Sequence, residues 1–365
     1  MWCRSRPTPR RACRSSFRAS PDRGVRGVRL DLYGKVLALV AGLLLTAAFA
    51  PPVLSGFDWK LPAGVAPPPV PADNPMSDAK VALGRKLFYD ADLSIDGTMS
   101  CATCHEQRRG FTDGNATHPG VHGDPGRRNI QTLANVGWFR ALTWGDGSVT
   151  RLEDQALIPI TGTKPVEMGL SGQEAVLTSR LAGQACYRRM FADAFPEENG
   201  ALTMTTIAKA LAAFERTLVS FDSPHDRRKR GEAVAVSPEA LRGERLFKPR
   251  CASCHAGPLF TDADKPRFHR IDAPFSGDQG LADVTGKAAD KGRFRTPSLR
   301  NVALSDPYLH DGSARTLEQA IRRHRVAMRL GDDEIADLVA FLHTLTDERF
   351  VTDPRFALPK PGCGA

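Results

Sequence analysis

The chain has 365 residues and a mass of 39.6 kDa, with 41% hydrophobic and 25% charged residues, an ordinary globular composition that excludes a disordered, collagenous or polytopic membrane protein. A net charge of +9 would suit a nucleic-acid or membrane partner if it were spread over the fold, but residues 1–35 hold nine Arg and Lys35 against Asp22 and Asp31, a sum of +8. The remainder carries +1, and no nucleic-acid ligand is expected.

Residues 36–50 (VLALVAGLLLTAAFA) are fifteen in number and uncharged, short for a membrane span but the length of the apolar part of an export signal. Residues 1–50 therefore read as a secretory leader with a cleavage site at Ala48-Phe49-Ala50. Pro51 and Pro52 are unfavourable just after a cut, so a retained membrane anchor stays open, as does a buried helix. Residues 51–76, rich in Pro and Ala, read as an extended tether. Helical periodicity is found at 79–89 and at 203–218, where Ile207, Leu211, Phe214 and Leu218 share a face. A charged connection at 223–236 contains Arg227-Arg228-Lys229-Arg230. Ser237 is placed as a helix N-cap, and Ile335, Leu338, Val339, Leu342 and Leu345 recur at helical spacing. Long Gly-, Pro- and Asp-rich loops separate these helices, so the expected class is mainly α. A first domain over 77–222, a second over 237–350 and a tail at 351–365 follow.

Eight cysteines in an exported chain would suggest disulfides. Four of them instead form one local pattern twice, Cys101-Ala-Thr-Cys104-His105 and Cys251-Ala-Ser-Cys254-His255. On a helix the two thiols lie on one face and can form thioethers with one haem, while the adjacent His serves as axial ligand. A zinc half-site or redox dithiol is the alternative for a single copy. Two copies behind an export signal favour two covalent c-type haems, one per domain.

From Leu83 to Leu345 the chain resembles the bacterial di-haem cytochrome c peroxidases, the family that includes MauG. The likeness is carried by Gly84-Arg85-Lys86-Leu87-Phe88, Phe111-Thr112-Asp113-Gly114, Gly126-Arg127-Arg128-Asn129, Trp144 to Gln155, Thr296-Pro297-Ser298-Leu299-Arg300-Asn301 and Pro307-Tyr308-Leu309-His310-Asp311-Gly312. It implies two cytochrome c-like haem domains packed together. The haem on His105 would react with peroxide, with Glu167 as the distal acid and base and Gln155 and Pro159 completing the pocket. The spacing from Gln155 to Glu167 is two residues longer than the family pattern. Trp144 would carry electrons between the haems, although a core aromatic is the plain alternative. Asn129, Ser305 and Pro307 fall where relatives hold a calcium ion through oxygen ligands.

The haem on His255 would exchange electrons with the outside. Its second ligand lies fourteen residues after His310, a methionine in peroxidase members and a tyrosine in MauG. Here that residue is His324, which implies bis-histidine ligation and a lower potential, with Met328 as the nearest alternative. His122 falls where a loop His blocks the peroxide haem in some members, and His118 is the other candidate in that loop. His225 and His343 have only bland readings, and His269 is a candidate lining residue of the second haem pocket.

The resemblance thus implies a periplasmic enzyme that reduces H2O2 with electrons from a small cytochrome or cupredoxin. The alternative is a MauG-like oxidase that modifies Trp or Tyr of a partner protein. Against it, MauG uses a surface Trp two residues before its second haem motif, where this chain has Pro249. A plain electron-transfer cytochrome requires a second ligand on the first haem. Membrane tethering through the leader and a homodimer are left open.

Overall fold

In a computed structural model, which describes residues 57–270 and 277–360, the first helix, α1 (Asp78–Phe88), begins at Ser77, whose hydroxyl accepts the Lys80 amide. Asp78 in its first turn and Arg85 and Lys86 in its last match the helix dipole. There follow α2 (Cys101–Cys104), α3 (Leu152–Thr161), α4 (Glu174–Gly183), α5 (Ala185–Ala194), α6 (Met204–Arg216), α7 (Pro224–Lys229), α8 (Pro238–Arg250), α9 (Ala282–Thr285), α10 (Leu317–Arg322), α11 (Asp332–His343) and α12 (Glu348–Thr352). Among the described residues the only sheet is the antiparallel pair β1 (His269–Arg270) and β2 (Arg293–Phe294). The fold is mainly α. The expected leader and cleavage site lie outside the described residues.

Two helix crossings organise the two cores. Where α1 meets α6, a Cβ added at Gly84 would lie 1.9 Å from the Ala210 carbonyl oxygen; where α8 meets α11, one at Gly243 would lie 1.9 Å from the Asp337 carbonyl oxygen. Backbones approach this closely only where a side chain is missing. Both glycines open a run of one pattern, Gly84-Arg-Lys-Leu-Phe88 and Gly243-Glu-Arg-Leu-Phe247, each with a basic residue then Leu-Phe, so each crossing delivers a phenylalanine to its core. Phe88 packs with Leu87, Leu211 and Phe214 in the first core, and Phe247 with Phe260, Leu338 and Phe341 in the second.

Three connecting segments are more ordered than their composition suggests. In the charged connection, Ser223 caps α7, and Asp226 within it pairs with the buried Arg300 at 2.7 and 2.8 Å. Residues 57–76 lie along the first core: the Trp138 indole N–H donates to the Ala66 carbonyl at 3.2 Å, and the buried Asn74 amide donates to Glu153 at 2.8 Å. Proline reduces the freedom of the unfolded segment, so few contacts suffice to hold it. In the tail, Phe356 joins α12 in the first core, where Arg85 reaches the Pro354 and Ala357 carbonyls and Tyr89 that of Phe356. No helix among the described residues is long and apolar enough to cross a membrane.

Candidate functional site

The single turn of α2 sets Cys101 and Cys104 on one face and ends at His105. Burial lowers the His105 pKa, and its Nδ1 lies 2.8 Å from the Phe111 carbonyl. A ring nitrogen so engaged carries the proton, which leaves Nε2 as the lone-pair donor. Phe111 sits in the left-handed region, φ 64°, which turns its carbonyl back to the ring. The second motif repeats the device: His255 Nδ1 lies 3.3 Å from the carbonyl of Phe260, φ 51°, and burial brings the His255 pKa down to about 4.

Each motif opens on its own cavity, about 340 Å³ at His105 and about 370 Å³ at His255, lined by both of its cysteines and its histidine. Burial pushes the Cys104 thiol up to about 12 and that of Cys251 to about 11, the reverse of the lowered values of a reactive redox dithiol. Two cysteines, an imidazole held by its Nδ1 and an adjoining cavity in each motif fit a covalently attached haem.

Gln155 and Pro159 project from α3 into the first cavity. The chain then folds back through the cis Lys164–Pro165 bond, and the Met168 N–H donates to the Pro159 carbonyl at 2.9 Å, which brings Glu167 into the same cavity. Burial raises the Glu167 pKa above the ordinary carboxylate value, and His118 opposes that rise. His118 itself lines the cavity, with Nδ1 2.7 Å from the Asp113 carboxylate. His122 is not among the lining residues; its neighbour Val121 donates from its backbone to the Glu167 carbonyl at 2.7 Å. A carboxyl that sequence reasoning passed over, Glu215 on α6, also lines this cavity, and burial pushes it up to about 8.

In the second cavity the His324 ring stands 6.4 Å from that of His255, centroid to centroid, with Nδ1 2.9 Å from the Ala320 carbonyl. Met328 is 81% exposed and does not line it. His269 does line it, with Nε2 2.7 Å from Asp262. Asn129, Ser305 and Pro307 also meet this cavity, and the Asn129 amide donates to the Asn115 and Ala116 carbonyls. Trp144 is buried in the wall common to both cavities, its indole N–H donating to the Asn129 carbonyl at 2.7 Å. Arg295, also passed over in the sequence, stands in the same wall. His225 is packed between Phe260 and Phe341, and His343 is exposed on α11.

Residues 78–234 match the family model for di-haem cytochrome c peroxidase, and residues 240–346 that for cytochrome c. The chain is 37% identical over 296 residues to the methylamine utilization protein MauG of Methylophilus methylotrophus, covering 76% of this chain and 85% of that protein. It is 34% identical over 298 residues to the cytochrome c551 peroxidase of Nitrosomonas europaea, covering 80% and 86%. Among solved structures, a MauG-like protein associated with microbial copper homeostasis matches with a TM-score of 0.78 and 39% identity, over 83% of this chain and 99% of that one. The chain belongs to the di-haem cytochrome c peroxidase family.

As a member of the di-haem cytochrome c peroxidase family it is an oxidoreductase, and its two matched domains imply covalent haem c. The family has members named as peroxidases and members named MauG.

Proposed function

We propose that the protein reduces hydrogen peroxide to water in the periplasm, with peroxide reacting on the His105 side and electrons entering on the His255 side from a small cytochrome or cupredoxin. The observation that supports this most is the asymmetry of the cavities. The second holds two imidazoles with centroids 6.4 Å apart, which suits a saturated electron-transfer centre. The first collects an amide, a proline and a carboxyl of raised pKa, which suits a site that binds and protonates a small ligand.

One peroxide takes up two electrons and two protons and leaves as two waters. Haem would supply, when bound, an iron that exchanges electrons one at a time. Glu167 as carboxylate removes the proton from the oxygen nearer the metal and returns it to the departing one. The Gln155 amide orients the pair by hydrogen bonding, and Pro159 keeps that wall apolar, which holds the Glu167 pKa up. Trp144 gives electrons an aromatic step between the cavities. This reading divides the chain into haem domains at 77–222 and 237–350, with a Ca2+ bound by Asn129, Ser305 and Pro307 where they meet, and an N-terminal leader for export.

A MauG-like oxidase acting on Trp or Tyr of a partner is the second reading. It is favoured by the imidazole at 324, which lowers the potential of its haem relative to a thioether. Against it, Pro249 is exposed on α8 and offers no aromatic step to the surface. Mixing the holoprotein with H2O2 and a reduced small cytochrome or cupredoxin separates the two. Consumption of two donor equivalents per peroxide supports the peroxidase; no donor oxidation, together with new Trp or Tyr oxidation in a partner protein, supports the oxidase.

A further inference from the structure

Arg295 follows β2 and is only 2% exposed, yet it lines both cavities. Its backbone N–H donates to the Trp144 carbonyl at 2.9 Å, so it is fixed beside the residue that separates the two sites. Its guanidinium meets only neutral groups: Nη1 donates to the Ala141 carbonyl at 3.3 Å, Nη2 to the Gln131 side chain, and its face lies 5.3 Å from the Phe139 ring centroid. Nε has no hydrogen-bond partner. The other deeply buried arginines are treated differently: Arg300 is paired with Asp226 at 2.7 Å and Arg216 with Glu153 at 2.8 Å. Among the described residues no carboxylate pairs with Arg295, and burial lowers its pKa to about 10.

A buried charge without a counter-charge is expensive, so a cation held this way is expected to meet its anion in the loaded protein. The cavities it faces are those that take haem c, and haem c carries propionate carboxylates. The guanidinium fork is matched in shape to a carboxylate and stays protonated when buried. We propose that Arg295 is the shared counter-charge of the two haems, binding a propionate from each side of the wall and holding both potentials up. A fixed positive charge favours the electron-rich state of each centre through the low-dielectric interior. Arg295 is in this sense a positioning residue for electron transfer, one that links the two centres without touching either iron ligand.

The test uses the holoprotein with Arg295→Gln and Arg295→Lys, haem content measured as the pyridine haemochrome and both midpoint potentials by spectroelectrochemical titration. With two haems per chain retained, Arg295→Gln should move both potentials negative and Arg295→Lys should keep both near the parent values. A shift confined to one haem would overturn the sharing. Unchanged potentials in a Gln variant that melts at lower temperature would make Arg295 a strut for Gln131 and Ala141 and overturn the proposal. If the Gln variant does not fold, the Lys variant still decides: it keeps the charge but loses the fork, so the propionate bending bands of both haems should shift in resonance Raman, and unshifted bands would refute the contact.

Discussion

The imidazole rings of His255 and His324 both line the second cavity, with centroids 6.4 Å apart and planes inclined at 58°. Each ring has its Nδ1 against a backbone carbonyl, of Phe260 at 3.3 Å and of Ala320 at 2.9 Å. The tautomer is thereby set, and Nε2 of both would be free to hold a haem iron.

Changing His324 to Gly should therefore convert the second haem from low-spin to high-spin in the EPR spectrum and leave the first unchanged. Changing it to Met should keep the haem low-spin and raise its potential. Met328, 81% exposed, is too far out to replace the lost ligand without refolding of its segment. A low-spin spectrum in the Gly variant would show that another group ligates the iron.

Glu167 must be ionised to take a proton, and burial raises its pKa above 4.5. The rate of reaction with H2O2 should then rise with pH along an acid limb centred above that value. Glu167→Gln keeps the size and removes the proton carrier; the limb should vanish and the rate fall by about 10² to 10⁴. Stopped-flow rates across pH check both. A parent-like profile in the variant would take Glu167 out of the proton transfer.

The helix crossings give a stability prediction with an internal control. Alanine at Gly243 puts a methyl 1.9 Å from the Asp337 carbonyl oxygen, so α8 and α11 must separate; alanine at Gly183, where nothing lies within 4 Å, meets open space. Gly243→Ala should destabilise by about 3 kcal/mol or more, beyond the usual range of overpacking. Gly183→Ala should be neutral or stabilising by up to about 1 kcal/mol. Thermal melts of the holoproteins distinguish them.

The haem-attachment motifs and the long helices were legible in the sequence because both depend on spacing along the chain. The expected helices at 79–89 and 203–218, and the helical spacing from Ile335 to Leu345, are found at Asp78–Phe88, Met204–Arg216 and Asp332–His343, with the differences confined to fraying ends. α4 and α5 were not singled out: they are separate helices broken at Gln184, and their apolar faces are short. The first-cavity loop was harder, because its path is set by contacts distant in sequence. Gly120 packs on the Val166 carbonyl and Gly126 on that of His118, a tight fold that brings His118 rather than His122 to the cavity. Arg295 and Glu215 were invisible for the same reason, since an Arg before Thr-Pro and a Glu on a helix read as solvated until the partner elements close over them.

Glu215 offers the clearest pH signature in the protein. It is 5% exposed, its Oε2 has no hydrogen-bond partner, and burial, aided by Glu153 and opposed by Arg216, raises its pKa from 4.5 to about 8. Between those values the unfolded chain has released this proton while the folded protein retains it. Folding is therefore fully favoured by the neutral carboxyl below about pH 4.5, and that contribution is lost as pH rises toward 8, by at most about 1.4 kcal/mol per pH unit. Glu215→Gln removes the titration and keeps the shape. Denaturant melts of the holoproteins should show parent and variant closely matched near pH 5, and the variant the more stable of the two near pH 8. A stability difference that does not change over this interval would mean that Glu215 is already ionised in the folded protein, held by Arg216 rather than neutralised by burial.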